Sequence, residues 1–222
     1  VRVNVVGTIN VASIALELGT PHVMCISTDK ASHPANAYGA TKMLDEKLFQ
    51  EFARIAEAAN LRTQYHLVRY GNVLESTGSV VEIWRNQIVR DETIKVTDPE
   101  MTRFYLSPQQ AVDIVLKGLT LASGMILVPK LKSLSLKKLA HFSTSDFSVK
   151  VDWEIIPMRP GEKRHETLLT VEECEFATED GNYFYLRPST CPRNTHGESP
   201  LPYSSDMAEE LTYEEFATML NE

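Results

Sequence analysis

Cysteine is scarce in this chain. Three occur among 222 residues, Cys25, Cys174 and Cys191. An odd number without metal-ligand spacing speaks against a disulfide framework and for reduced thiols in a cytoplasmic protein. Long apolar runs are missing too: none approaches the ~20 residues of a membrane helix, and no signal-peptide pattern stands at the start. A membrane partner is therefore not expected. Positive charge is in the minority, with 22 Lys and Arg against 30 Asp and Glu and a formal charge of −8. That balance disfavours nucleic acid as a partner, while a local basic pocket for a diphosphate remains compatible with it. Clustered His and Cys ligands are lacking, so no metal is expected. Glycine numbers ten, and nowhere forms the G-x-G-x-x-G turn that receives a pyrophosphate in dinucleotide-binding sheets. Repeats and low-complexity stretches are absent.

What remains is a globular composition, 43% hydrophobic, in which strand and helix patterns alternate. Apolar positions from Val6 to Leu18 recur at helical spacing and stop at Gly19. Residues 22–27 form a short apolar run after Pro21, as a buried parallel strand does. A long helix is predicted over 37–59, with Leu44, Leu48, Phe52 and Ile55 as its apolar stripe. A strand over 63–69 follows, with Tyr70-Gly71-Asn72 as its exit turn, and then a helix over 80–90 and a strand over 93–96. Pro108 opens another helix. Strands at 125–128 and 151–156, with a short helix over 134–141 between them, suggest a small lobe. Residues 191–206 read as a loose connector to a last helix at 213–220. The alternation predicts an α/β fold with a parallel sheet.

The chemistry concentrates in residues 27–42. Tyr38 and Lys42 are four apart on a predicted helix and share a face. An ammonium near a phenol favours the phenolate, which suits a general base. Asp29 and Lys30 add an acid/base pair where a strand ends, and α/β sheets place their sites at such ends. Chance also produces Y-x-x-x-K at helix starts and Asp-Lys in solvated turns, so neighbouring sequence carries the decision. His33, His66 and His141 have no partner pattern and read as structural or surface residues.

Five segments in order supply that context: Ser27-Thr28-Asp29-Lys30, Tyr38-Gly39-Ala40-Thr41-Lys42, Val68-Arg69-Tyr70-Gly71-Asn72-Val73, Thr97-Asp98-Pro99-Glu100-Met101-Thr102-Arg103-Phe104 and Arg159-Pro160-Gly161-Glu162-Lys163-Arg164-His165-Glu166. Together they resemble the extended short-chain dehydrogenase/reductase superfamily. Within it the chain is similar to the soluble, inverting UDP-N-acetylglucosamine 4,6-dehydratases of polysaccharide biosynthesis, over roughly residues 1 to 190.

The resemblance implies a Rossmann-like doubly wound parallel sheet, of which this chain carries the C-terminal half, and a small C-terminal substrate-binding lobe. Residues 1–125 would belong to the NAD(P)-binding domain, with substrate-lobe segments interleaved near 73–105. Residues 126–190 would form the lobe and 191–222 a tail. It further implies NADP-dependent loss of water from a UDP-N-acetylhexosamine with inversion at C5, towards pseudaminic-acid-type glycans. NAD is not excluded. Tyr38 would deprotonate the C4 hydroxyl and Lys42 would support it and bind the nicotinamide ribose. Thr28 would hold the C4 oxygen, Lys30 would take the C5 proton, and Asp29 would protonate the leaving hydroxyl. A base lysine must be neutral part of the time, so burial or a neighbouring cation is expected beside Lys30. Tyr70 and Asn72 would meet the cofactor, and Asn72, Arg103, Arg159 and Glu162 the UDP-sugar. Arg103 is equally compatible with a structural ion pair, and His165 could bind uridine or brace the lobe.

Two alternatives follow from the same residues. One is a UDP-sugar 4-epimerase or reductase of this superfamily; the other is an inactive fragment that lacks the cofactor turn and does not bind NADP. A homo-oligomer is expected, with Leu44, Leu48 and Phe52 serving either its interface or the core. One departure stands out. Leu74-Glu75-Ser76-Thr77-Gly78 places an acid where the family carries small and basic residues.

Overall fold

A proline, a run of β-branched and apolar residues and a hydroxyl-rich exit together make the first strand of this protein. The computed structural model describes residues 1–76, 78–90, 92–144, 153–193 and 199–222. A π-helical turn at Arg2–Val6 leads into α1, Gly7–Leu18, which Gly19 ends in the left-handed conformation at φ 60°. Then come β1 His22–Thr28, α2 Asp29–Ser32, α3 Ala37–Ala58, β2 Gln64–Tyr70, β3 Asn72–Val73, α4 Val80–Val89, β4 Ile94–Val96, β5 Thr102–Leu106 and α5 Pro108–Gly118. The remainder comprises β6 Ile126–Pro129, β7 Ser133–Ser135, α6 Leu136–Thr144, β8 Trp153–Ile155, β9 Thr167–Leu169, α7 Val171–Cys174, β10 Ala177–Asp180, β11 Tyr183–Leu186, β12 Tyr203–Ser204 and α8 Tyr213–Met219.

The chain divides into two units. The first contains Val1–Tyr70, Val112–Lys130 and Thr167–Ser204. Its five-stranded sheet has the order β1-β2-β6-β11-β10. β1, β2 and β6 run parallel, and β11 and β10 add antiparallel strands. Val68 and Leu67 in β2 and Leu127 and Val128 in β6 are fully enclosed, as central parallel strands require. Tyr65 packs on Phe49 and Phe52 of α3 and donates its hydroxyl to the Ala12 carbonyl of α1 at 2.7 Å. That bond satisfies a polar group which would otherwise be costly to bury.

The second unit contains Gly71–Ala111, Leu131–Glu166 and Ser205–Glu222. β3, β5 and β7 form one small sheet, and β4 pairs with β8 in parallel. Trp84, Ile94, Met101 and Leu139 build its core together with Leu211 and Phe216 from the chain's last segment.

The α/β class and the parallel pairing follow the pattern in the sequence, but several details differ. The buried face of α3 carries Asp45, Glu46, Phe49, Ala53 and Ala56, whereas Leu44 and Ile55 are exposed. The expected stripe is therefore rotated, because the helix turns two acids towards buried polar partners. Residues 134–141 begin as a strand before α6. The strand expected at 151–156 is described only as β8, since 151 and 152 lie outside the described residues, as does Thr77. By packing, residues 126–130 and 167–204 group with the first unit, and 205–222 with the second. The expected connector includes β12, which pairs with β9, and a buried Ser205.

Candidate active site

β1 delivers the first group of site residues. Its last residue, Thr28, has extended backbone and caps α2, with its hydroxyl accepting the Lys30 N–H at 3.5 Å. Asp29 turns inward and is wholly enclosed. Its Oδ1 accepts a hydrogen bond from Thr28 Oγ1 at 3.0 Å and another from Lys30 Nζ at 2.8 Å. The Lys30 side chain keeps 29% of its surface exposed and is the accessible member of the pair. The contact that Lys30 makes with Asp29 is with an anion, and a carboxylate at this distance favours the ammonium.

α3 delivers the second group. Asn36 caps it by accepting the Gly39 N–H at 3.0 Å. Gly39 is required by space: a Cβ there would lie 2.5 Å from the Lys30 carbonyl oxygen. This close approach sets the first turn of α3 against α2. Tyr38 is about half exposed, at 52%. Lys42 Nζ donates to the Ile26 carbonyl of β1 at 3.0 Å and to Asp45 Oδ2 at 3.1 Å. Asn4 donates to Thr41 Oγ1 at 2.8 Å, tying the chain's first turn to the same stretch of α3. Thr28, Asp29, Lys30, Tyr38 and Lys42 thus gather at the C-terminal end of a parallel strand, where α/β sheets bind their ligands.

Beneath them lies a buried ionic network. Arg69 of β2 is 1% exposed and donates to both carboxylate oxygens of Glu46 and both of Glu173, at 2.7–2.9 Å. It also donates to the Leu168 carbonyl at 2.9 Å. Ser27 Oγ completes the cluster with a 2.6 Å hydrogen bond to Glu46. Burial opposes the guanidinium charge, but the two carboxylates outweigh it and hold Arg69 above its ordinary range. Burial likewise pushes Glu173 up, and the charge and hydrogen bonds of Arg69 outweigh that and hold it low. Sequence reasoning misses Glu46 and Glu173 as partners of this network. Their signal is Arg69 itself, a charge inside an apolar strand that demands acids nearby.

The remaining expected residues are placed as follows. Tyr70 ends β2 in the first unit, where burial raises its phenol. Asn72, Arg103, Arg159 and Glu162 belong to the second unit. Asn72 begins β3 opposite Tyr105. Arg103 is mostly buried and donates to the carbonyls of Thr102, Lys163 and Arg164 at 2.7–3.0 Å. Those bonds give it the task of holding the 159–166 segment. Glu162 Oε2 accepts the Arg159 N–H at 3.1 Å across a turn whose Gly161 has φ 75°. Proline and glycine at the two central positions suit such a turn. The Arg159 side chain is exposed. His165 Nδ1 lies 2.8 Å from Thr102 Oγ1, which meets Ser205 Oγ at 2.6 Å. Glu75, the unexpected acid, pairs with Arg85 of α4 at 3.2 Å. Among the described residues no cluster of His, Cys, Asp and Glu could hold a metal, and no helix is long and apolar enough to cross a membrane.

A parallel α/β sheet with Thr-Asp-Lys at a strand end and Tyr-x-x-x-Lys on the following helix defines a protein of the extended short-chain dehydrogenase/reductase class. Residues 1–188 match the family described as polysaccharide biosynthesis protein, and the chain belongs to that family. It is 36% identical over 191 residues to a UDP-N-acetylglucosamine 4,6-dehydratase (inverting) of Campylobacter jejuni, covering 85% of this chain and 55% of that protein. It is 37% identical over 187 residues to a UDP-glucose 4-epimerase of Rickettsia felis, covering 84% and 54%. The chain thus spans about half the length of these curated relatives. Among solved structures, Pen from Bacillus thuringiensis superposes with a TM-score of 0.86 at 31% identity, covering 99% of this chain and 68% of that one. A UDP-glucose 4-epimerase from Thermus thermophilus, solved with NAD, shares the fold at a TM-score of 0.63 and 17% identity, covering 72% and 59%.

Proposed function

We propose that these residues carry out the proton transfers of a nicotinamide-dependent 4,6-dehydration of UDP-N-acetylglucosamine, with inversion at C5. The observation that carries this reading is the Asp29–Lys30 pair beside Tyr38 and Lys42. Redox at C4 needs a base for one hydroxyl proton. Elimination of water needs a second base and an acid.

The site offers both sets. Tyr38 takes the C4 hydroxyl proton, with Lys42 favouring the phenolate and Thr28 donating to the C4 oxygen. A nicotinamide held beside Tyr38 and Lys42 would supply the redox chemistry, as acceptor of the C4 hydride and its donor to C6. Once C4 is a carbonyl, the C5 proton is acidic. A single proton shift within the 2.8 Å Lys30–Asp29 pair converts ammonium and carboxylate into amine and carboxylic acid. The amine removes the C5 proton and the acid protonates the departing C6 hydroxyl, so the step balances within the pair. Asp29 is wholly enclosed and bonded to Lys30 in this structure, so its role as acid requires Lys30 to move off it.

The residues fit the nicotinamide-ribose end of a dinucleotide. Lys42 presents an ammonium and Tyr38 an exposed phenol at the end of a parallel strand, with Tyr70 and Asn72 assigned to the same ligand. NADP is the proposed cofactor, with NAD as the alternative that the likeness in fold to an NAD complex supports. Asn72, Arg159 and Glu162 are assigned to the UDP-sugar, with Arg103 supporting the 159–166 segment from below. A cytoplasmic homo-oligomer that feeds pseudaminic-acid-type glycan synthesis completes the proposal.

The 37%-identical epimerase favours one second reading, exchange of configuration at C4 alone. That reaction uses Tyr38 and Lys42 and has no need of a C5 base. Lys30→Ala separates the two. In a dehydratase it abolishes water loss while C4 oxidation, read as reduced nicotinamide absorbance, survives. Equal loss of both steps would remove Lys30 from the elimination.

A further inference from the structure

Lys42 faces an acid that the reaction above does not use. Asp45 lies one turn further along α3, with its Oδ2 3.1 Å from Lys42 Nζ. Asp45 is 2% exposed. Its Oδ1 accepts a hydrogen bond from Thr8 Oγ1 of α1 at 3.0 Å. A carboxylate loses hydration on burial, and partners of this kind offset the loss. For packing alone an apolar side chain would serve this helix face better. The enclosed acid therefore points to a task, and its contact with Lys42 identifies which one.

We propose that Asp45 is a positioning residue for Lys42, fixing the ammonium against β1 and offsetting part of the positive charge that Lys42 presents to Tyr38. This rests on Tyr38 being the proton acceptor assigned above. The charged and titratable neighbours are few. On α3, Glu46 is committed to Arg69. On β1, burial pushes the Cys25 thiol up to about 12 despite the opposing pull of Lys42, so it stays neutral. On α2, Asp29 and Lys30 compensate each other. α1 and the turn before it contribute Thr8 and Asn4, which carry no charge. Among the described residues, Asp45 is thus the anion in contact with Lys42. While it holds the ammonium, the carboxylate offsets part of the pull of Lys42 on the phenol.

Asp45→Asn removes the charge and keeps an oxygen for Lys42. The test is ring-carbon NMR of tyrosine-labelled protein across an alkaline pH series, with Tyr38→Phe assigning the resonance. The expected result is a fall of about half a pH unit in the Tyr38 titration midpoint, the size of one charge removed two helical turns away. Asp45→Glu should restore the wild-type midpoint. Asp45→Ser, which adds no bulk, covers a failure of the Asn variant to fold. An unchanged or rising midpoint would overturn the proposal. Unfolding of both variants would do so too, by assigning Asp45 to folding alone. The reading needs no turnover and is therefore independent of the dehydration assay. A shifted midpoint without water loss would keep the role of Asp45 and remove the dehydratase.

Discussion

At the scale of single residues, buried charge organises this site. Arg69 joins β2 to Glu46 on α3 and to Glu173 on α7, and Ser27 extends the network to the strand that ends in Thr28. Removing the cation leaves the buried Glu46 carboxylate and the partly buried Glu173 carboxylate without it. Arg69→Met should therefore lower unfolding stability by about 3–5 kcal/mol in urea titration. A loss below about 1 kcal/mol would show that the carboxylates relax out to water. His66 makes a pH prediction. Burial first, and then the charge of His22, hold its imidazole below the ordinary 6.5, against a backbone hydrogen bond involving Leu121 that acts the other way. The two rings are in contact, with His22 Nδ1 3.0 Å from His66 Nε2. The unfolded chain takes up this proton near pH 6.5 and the folded chain resists it. The stability contribution is therefore complete above that pH and is lost as pH falls through the lower folded value. Melting temperature should fall on acidification from about pH 7.5 to about 5.5, and His66→Gln should flatten that slope. An equal slope in the variant would place the titration elsewhere.

At the scale of elements, the sequence was legible where apolar pattern and capping agreed. Gly19 ends α1, Pro21 immediately precedes β1, and Pro108 opens α5, as expected. Tyr38 and Lys42 were legible as one helix face, since spacing alone dictates that. The interior of α3 was not. Leu44, Leu48, Phe52 and Ile55 have core chemistry, but burial of Asp45 and Glu46 depends on Thr8, Arg69 and Ser27, which are distant in sequence. Local periodicity carries no information about such partners. The same holds for Arg103: two of its three carbonyl partners lie some sixty positions downstream. The final segment looked like an appendage because its proline- and serine-rich approach carries no periodic signal. In fact α8 has a capping box formed by Thr212 and Glu215, and it buries Phe216 to 1% exposure in the second unit's core. Phe216→Ala should lower stability by about 3–5 kcal/mol, measured by chemical unfolding with Trp84 fluorescence as a local probe. A value near zero would mean that α8 packs only loosely.

At the scale of the whole molecule, the chain is interleaved, and three separate stretches build each of the two units. Thr28, Asp29, Lys30, Tyr38 and Lys42, for which proton transfer is proposed, belong to the first, and Asn72, Arg159 and Glu162 belong to the second. Family membership is carried by residues 1–188, while the proposed choice of dehydration over epimerisation rests on the roles proposed for Lys30 and Asp29. That choice has a direct readout. The polypeptide that carries these residues in its natural reading frame is incubated with UDP-N-acetylglucosamine and NADP, and the sugar nucleotide is weighed by mass spectrometry. The account predicts a product lighter by one water. An unchanged mass with inverted configuration at C4 would contradict it and make the protein an epimerase.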